Sequence, residues 1–391
     1  MKIYAYSPLV SLLLAVLLSC DGQSNNVPVP DVIATPDTPE NPSDPGDPEP
    51  DIQVYCITND NVERFLEEVS YPDRDYSYSS IKSYPGGGPG SSDYPQPVHL
   101  EWEVVKDADA ITLQVSQKED FSVIDREMSL RGTLRWADVY NLIPGRKYFW
   151  RILDGDESVR SGAFRTAGLV RQLRFPSVRN LRDLGGWKTV DGKTVAYGKL
   201  ARGGEPNYGT NTAMTYATAE GIAEFRKAGF TAELDLRATS LGSSPLGEDF
   251  LYCCPGIEHG YYSMLSEYSA EIKAGFDFIL SNLKAGRGTY FHCQAGRDRT
   301  GTLAFLLLGC LGVPEGDVSK EYELTYFAPS AYSLVDGTFH HSRDTELRSI
   351  ANWLWNNMRG STFKEKMTWY LTHNALIPES DIEAFRTLML E

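Results

Sequence analysis

Cysteine is scarce in this chain, six in 391 residues. The six are Cys20, Cys56, Cys253, Cys254, Cys293 and Cys310, with no CxxC pair and no histidine spacing of the zinc type. That excludes a zinc finger or ribbon and a disulfide-dense small scaffold. Histidine is as sparse, and the His340-His341 pair has no partner spacing that suggests a metal. Neither a G-x-x-x-x-G-K-[ST] loop nor a G-x-S-x-G elbow is present, which removes the commonest nucleotide-binding and serine-hydrolase signatures. Positive charge is short: 37 Lys and Arg face 53 Asp and Glu, a net charge of −16. Nucleic-acid binding, which wants a basic face, is therefore not expected. The apolar run at 9–18 is too short to span a bilayer comfortably.

What the chain does carry is Tyr290-Phe291-His292-Cys293-Gln294-Ala295-Gly296-Arg297-Asp298-Arg299-Thr300-Gly301. Residues 289–292 suit a strand, and the Leu-rich run 302–311 suits a buried helix ending at Gly312 and Pro314. Between them, Cys293 and Arg299 bracket five residues. Such a loop suits a phosphate, because unpaired N–H groups at a helix N-terminus favour negative charge. Gly296 lets the backbone of Gln294, Ala295 and Gly296 pass close to phosphoryl oxygens. Arg299 can grip two oxygens with its planar fork, and Arg297 adds field at the sulfur or meets further phosphates.

Cys293 is the candidate nucleophile. A free thiol titrates at about 8.5, and a helix N-terminus with nearby cations lowers that. Attack of its thiolate on phosphorus gives a cysteinyl-phosphate and splits one hard hydrolysis into two steps. Thr300 suits a hydrogen bond that steadies the sulfur as leaving group. Asp298 suits protonation of the departing alcohol or phenol, followed by activation of water. His292 reads as a brace for the loop.

The remaining chain divides by composition. Residues 1–19 read as an export signal with a short positive start at Lys2. Residues 20–53 read as a disordered linker: Pro28, Pro30, Pro36, Pro39, Pro42, Pro45, Pro48 and Pro50 alternate with acidic and small residues, and no Lys or Arg occurs between Lys2 and Arg64. Residues 54–96 read as a connector, with a strand at 54–58, a helix at 61–69 and the cluster Gly86-Gly87-Gly88-Pro89-Gly90. From 97 to 168 the period becomes two, with Leu100, Trp102 and Val104, then Ile111, Leu113 and Val115, then Tyr148, Trp150 and Ile152, and a last strand at 164–166. This is the pattern of a small all-β sandwich with Trp102 and Trp150 in its core.

From 170 to 391 strands and helices alternate. Strands are expected at 199–202, 232–236 and 250–254, and helices at 219–228, 270–283, 315–326, 344–358, 363–371 and 379–388. The expectation is an α/β domain, a mainly parallel sheet flanked by helices with the loop at a strand's carboxyl end. Cys253 and Cys254 are candidates to pair with Cys293 under oxidation, set against a reading as small buried strand residues.

The His-Cys-x5-Arg-Thr loop resembles the signature of the cysteine-dependent tyrosine phosphatase superfamily. Gly-x-Asp-Arg-Thr-Gly, the run Asn180-Leu181-Arg182-Asp183-Leu184-Gly185-Gly186 and the triplet Asp235-Leu236-Arg237 are similar to its bacterial atypical branch, over roughly 170–391. That branch acts on phosphotyrosine, phosphoserine/threonine and phosphoinositides. The resemblance implies a metal-independent phosphatase without cofactor, acting on a phosphorylated protein, phosphoinositide or inositol phosphate, with Asp298 as acid. Asp235 is the alternative general acid, since many tyrosine phosphatases carry it on a separate loop. Asp183 is a candidate to order the arginine or a phosphate-facing turn, or only to close the Gly-Gly turn. Leu142-x-Pro144-x-x-x-Tyr148 resembles the tyrosine corner of fibronectin type III domains. Leu17-Leu18-Ser19-Cys20 resembles a lipobox, which implies lipidation of Cys20 and tethering to the bacterial cell envelope, periplasmic or surface-facing. A sulfurtransferase and a catalytically inactive surface-binding lipoprotein are the rival readings.

Overall fold

Alternating burial along short strands sets the architecture. The computed structural model describes residues 52–76, 80–84, 95–105, 108–175, 177–209, 214–215, 217–328 and 343–391. The expected leader, Cys20, the linker to residue 51, the glycine cluster and His340-His341 lie outside these residues.

In chain order, β1 (Val54–Cys56) and α1 (Asp60–Glu68) come first, with the Asn59 side chain accepting from the Asn61 and Val62 amides as the helix cap. There follow β2 (Val98–Glu101), β3 (Ala110–Ser116), β4 (Arg126–Arg131), β5 (Trp136–Val139), β6 (Lys147–Asp154) and β7 (Glu157–Ala167). These form one sheet in the order β1-β7-β6-β3-β4 and a second of β2 and β5. Period-two alternation turns Val98, Leu100, Ile111, Leu113, Val115, Ile152 and Phe164 into one shared core. The Tyr148 hydroxyl accepts from the Ile143 amide at 2.9 Å and pins the turn at Pro144. Trp102 is buried in this core, whereas Trp150 is half-buried against Gly162.

The second region holds β8 (Arg182–Asp183), β9 (Leu200–Gly203), a small hairpin of β10 (Tyr208–Gly209) and β11 (Met214–Thr215), α2 (Ala219–Lys227), β12 (Phe230–Asp235) and β13 (Leu251–Cys253). It continues with α3 (Tyr261–Glu267), α4 (Ser269–Lys284), β14 (Gly288–His292), α5 (Asp298–Leu311), α6 (Glu315–Glu323), α7 (Arg348–Asn357), α8 (Phe363–Trp369) and α9 (Glu379–Met389). Its sheet runs β13-β12-β14-β9-β8, parallel except for the antiparallel edge pair β8 and β9. β14 is central and buried along its whole length, as a strand covered on both faces must be. α5 is apolar all round and is buried from Thr300 to Leu311, ending at Gly312 with φ +93°. No helix among the described residues is long and apolar enough to cross a membrane.

Three expectations are corrected here. Residues 54–84 are no mere connector: β1 pairs in parallel with β7, and Val62, Phe65, Tyr71, Tyr76 and Ile81 join the main helical core. The Tyr71 hydroxyl donates to Glu323 at 2.5 Å and that of Tyr76 to Glu315 at 2.7 Å, both on α6. These apolar residues follow no strand or helix period after α1, so no pattern announced them. α3 was also unforeseen, because it opens at a residue with φ +58° and lacks a side-chain cap. The helices expected at 315–326 and 344–358 are shorter, α6 closing in a 3₁₀ turn (Leu324–Phe327) and α7 preceded by a π turn (Arg343–Leu347).

Phe65 is wholly buried in the core of the second region although it precedes the β-rich region in sequence. Phe65→Ala should lower unfolding free energy by about 3–5 kcal/mol in urea titrations. A loss under about 1 kcal/mol would mean that the N-terminal segment does not share that core.

Candidate active site

The loop between β14 and α5 begins where the central strand ends. Gly296 has φ +70°, and a Cβ there would meet Gly203 C at 2.2 Å and Gly204 N at 2.6 Å. Only glycine fits so close to the end of β9. Three successive carbonyls of the loop are held by groups outside it. Gln294 O accepts from the Glu205 amide at 3.1 Å, and from Arg179 Nη2 at 3.4 Å. Ala295 O accepts from Asn180 Nδ2 at 3.2 Å. Gly296 O accepts from Asn180 Nδ2 at 2.9 Å and from Arg202 Nη2 at 2.8 Å.

A trans peptide sends its N–H opposite to its C=O. Fixing three successive carbonyls outward therefore aims the N–H groups of Ala295, Gly296 and Arg297 inward, beside the unpaired first turn of α5. Such a set of donors suits an anion.

The grip rests on buried charge. Glu321 of α6 accepts from Arg182 Nε at 2.7 Å and from Arg202 Nη1 at 2.6 Å, and Arg182 reaches Asn180 Oδ1 at 2.5 Å. Burial, then the neighbouring Arg202, pulls Arg182 down to about 10, still charged at neutral pH.

Cys293 is 2% exposed. Burial is the largest influence and opposes ionisation, but the Thr300 hydroxyl, the Arg299 charge and the Thr300 amide together hold the thiol below its ordinary value. The Thr300 hydroxyl is buried without a hydrogen-bond partner among the described residues, and its influence falls on the Cys293 thiol, whose pKa it lowers. Arg299 donates to Ile257 O at 3.0 Å and, with Gln294, Glu205, Arg237, Thr239 and Leu241, lines a cavity of about 330 Å³. Asp298, first residue of α5, has a side chain 35% exposed, with Oδ1 accepting from Arg297 Nε and from the Tyr261 hydroxyl, each at 2.5 Å.

Beneath the cradle lies a closed cluster. His292 Nδ1 donates to Cys293 O at 3.0 Å, and its Nε2 lies 2.8 Å from Glu233. Burial lowers its pKa, but Glu233 and Asp235 outweigh that and raise it overall. Glu233, Asp235 and His292 bring potential ligand atoms within 4.8 Å of one another. As the sequence anticipated, His292 braces the loop.

Cys293, Gln294, Ala295, Gly296, Asp298, Arg299 and Thr300 thus gather at one point. Three other candidates sit differently. Arg297 is buried, facing Asp298, Tyr261 and, at 3.7 Å, Glu346, and is not among the residues lining the cavity. Asp183 closes the Gly-Gly turn, accepting from the Gly185 amide at 2.9 Å and the Gly198 amide at 2.7 Å while pairing with Arg171 at 3.1 Å. It does not face the cradle. Asp235 accepts from Arg237 N, Nε and Nη2 and from the Tyr252 hydroxyl, and despite burial these donors and His292 lower its pKa. A carboxylate so closed holds Arg237 in place rather than delivering a proton.

The strand register also argues against pairing Cys253 with Cys293. Cys253 aligns with Leu234 and Leu234 with Phe291, two strand spacings or about 10 Å, beyond the roughly 7 Å that a disulfide tolerates. The described cysteines are all free. Asn180, Arg202, Glu205, Arg237, Tyr261 and Glu321 entered the site without an assigned role. The runs 180–186 and 235–237 contain Asn180 and Arg237, and the strand expected at 199–202 ends on Arg202; nothing marked Glu205, Tyr261 or Glu321.

Among known proteins, the family described as "Tyrosine phosphatase family" matches residues 173–245 and 255–391. A Cupriavidus necator protein named "Putative tyrosine-protein phosphatase" is 26% identical over 175 residues, covering 38% of this chain. The match spans 61% of that relative's length.

Two measurements follow. Iodoacetamide should label Cys293 with a pH midpoint below the ordinary thiol value of about 8.5, and phosphate should slow the labelling; a midpoint at or above it would contradict the field described. His292 is favoured as the cation when folded, so its contribution to stability is complete below its unfolded pKa of about 6.5 and disappears as pH rises through the higher folded value. Unfolding free energy should fall over that window in the native chain, and the fall should flatten in Glu233→Gln.

Proposed function

The chain belongs to the tyrosine phosphatase family, and on that premise we propose that it hydrolyses phosphomonoesters, phosphotyrosine first, through a cysteinyl-phosphate on Cys293. The observation that carries the reading is a buried thiol at the foot of a loop whose carbonyls are held by Asn180 and Arg202, the arrangement that turns its N–H groups toward a bound anion. In the first step the Cys293 sulfur bonds to phosphorus as the ester P–O bond breaks, and Asp298 gives its proton to the leaving oxygen. In the second step water attacks phosphorus, the S–P bond breaks, Asp298 takes the water's proton and the thiolate returns. Arg299 and the cradle hold the three non-bridging oxygens throughout, where charge concentrates. Thr300 stabilises the departing sulfur.

A cavity of about 330 Å³ walled by Arg237, Thr239 and Leu241 suits an aryl group next to the phosphate. Phosphoserine/threonine and phosphoinositides are the wider substrate range; an inositol polyphosphate is the alternative. A fibronectin type III-like reading of 97–168 is supported by the Tyr148–Ile143 tie and the common core of its sheets. The run ending at Cys20 supports an exported, lipid-tethered location.

The test is a panel of phosphotyrosine, phosphoserine, phosphoinositide and inositol polyphosphate substrates with the native chain, Cys293→Ser and Asp298→Asn. Cys293→Ser should abolish turnover on every substrate. Asp298→Asn should slow a phosphoserine peptide about 100-fold while leaving p-nitrophenyl phosphate within a few-fold. Native inactivity across the panel would leave a binding lipoprotein instead.

A further inference from the structure

The turn before α3 is built around one carboxylate. Tyr261 has φ +58°, a left-handed conformation that bulky residues rarely adopt. Its amide donates to Thr302 Oγ1 at 3.0 Å, and that hydroxyl donates to Asp298 O at 2.9 Å. A Cβ at the preceding Gly260 would meet Asp298 Cβ at 2.9 Å. Backbone and hydroxyl contacts alike therefore press this turn onto the first residue of α5.

The side chains converge in the same place. The Tyr261 hydroxyl and Arg297 Nε both donate to Asp298 Oδ1, each at 2.5 Å. Asp298 Oδ2 has no hydrogen-bond partner among the described residues.

We propose that Tyr261 is a positioning residue that fixes which oxygen of Asp298 carries the transferable proton. An oxygen that already accepts from two donors has no room for a proton of its own. The carboxyl proton is therefore confined to Oδ2, the oxygen left free. When the P–O ester bond breaks, that proton passes from Oδ2 to the leaving oxygen; when water later attacks phosphorus, its proton returns to Oδ2. The phenol stays protonated throughout, because burial and the Asp298 charge raise its pKa far above the ordinary value. Arg297 completes the hold, which gives its buried guanidinium a task at the acid rather than at the substrate. The inference rests on the reading of Asp298 as general acid.

The experiment compares Tyr261→Phe, Asp298→Asn and the double variant on a phosphoserine peptide and on p-nitrophenyl phosphate. Phenylalanine keeps the ring and removes only the donor. With the phosphoserine peptide, Tyr261→Phe should lower kcat about tenfold with KM unchanged. With p-nitrophenyl phosphate, whose leaving group needs no acid, kcat should stay within about twofold, which also reports an intact fold. In the Asp298→Asn background Tyr261→Phe should have no further effect. Equal slowing of both substrates, or a full additional loss in the Asp298→Asn background, would overturn the proposal. If Asp298→Asn itself spared the peptide while Cys293→Ser remained dead, the acid assignment would fall and Tyr261's role with it, leaving the nucleophile standing.

Discussion

A backbone carbonyl and the next N–H share one rigid plane, and the site depends on that constraint more than on any side chain. Asn180, Arg202 and the Glu205 amide take the carbonyls of Gln294, Ala295 and Gly296 from outside, so the amides can only face in. A loop of this length left to itself would sample many orientations, and each residue fixed costs roughly 1–2 kcal/mol of conformational entropy. Holding the carbonyls beforehand means that the amides are ordered without a ligand, and preorganised donors stabilise developing charge without rearranging.

That grip has a lineage through the molecule. Arg202 and Arg182 meet on Glu321 of α6, a carboxylate 1% exposed. Breaking one partner of such a buried group leaves a charge without compensation, at a cost of about 3–5 kcal/mol. α6 is in turn steadied by the N-terminal segment, through Tyr71 on Glu323, Tyr76 on Glu315 and Lys320 on the Leu66 carbonyl. Residues far apart in the chain thus converge on one short helix, Arg182 and Arg202 at Glu321, and Leu66, Tyr71 and Tyr76 at Lys320, Glu323 and Glu315.

Charge in the site is arranged by depth. Below the loop, Glu233 and Asp235 raise the pKa of His292, and the cluster steadies the strand end from beneath. At the loop, Cys293 is eased toward its thiolate by Thr300 and Arg299. Asp235 and Asp298 differ for the same reason. Four donors close around Asp235, whereas Asp298 keeps one oxygen uncommitted and a side chain open to solvent.

The order of chemical groups along 290–301 was legible in the sequence because it is local: a strand, a glycine turn and a helix start place Cys293, Asp298, Arg299 and Thr300 through their own spacing. The alternation of strands and helices after residue 170 was legible through periodicity, and the central strand and its neighbours appear close to where they were expected. What the sequence left open lay in contacts between distant residues. Asp183, a candidate to order the arginine or close the Gly-Gly turn, and Asp235, the alternative general acid, differ from Asp298 only in the hydrogen-bond donors that folding brings to them. Arg297 looked like a ligand for phosphate until its guanidinium was found facing Asp298 and Glu346. Tyr71, Tyr76 and Ile81 belong to the main core, yet after α1 they have no period for a pattern to reveal. Tyr261 and Glu321 carry no motif, since a hydroxyl or carboxylate acquires its task only from what folding brings beside it. The sequence by itself determined which reactive groups share a loop; only the tertiary structure decided which way that loop's amides face, because their direction is set by partners 90 to 120 residues away.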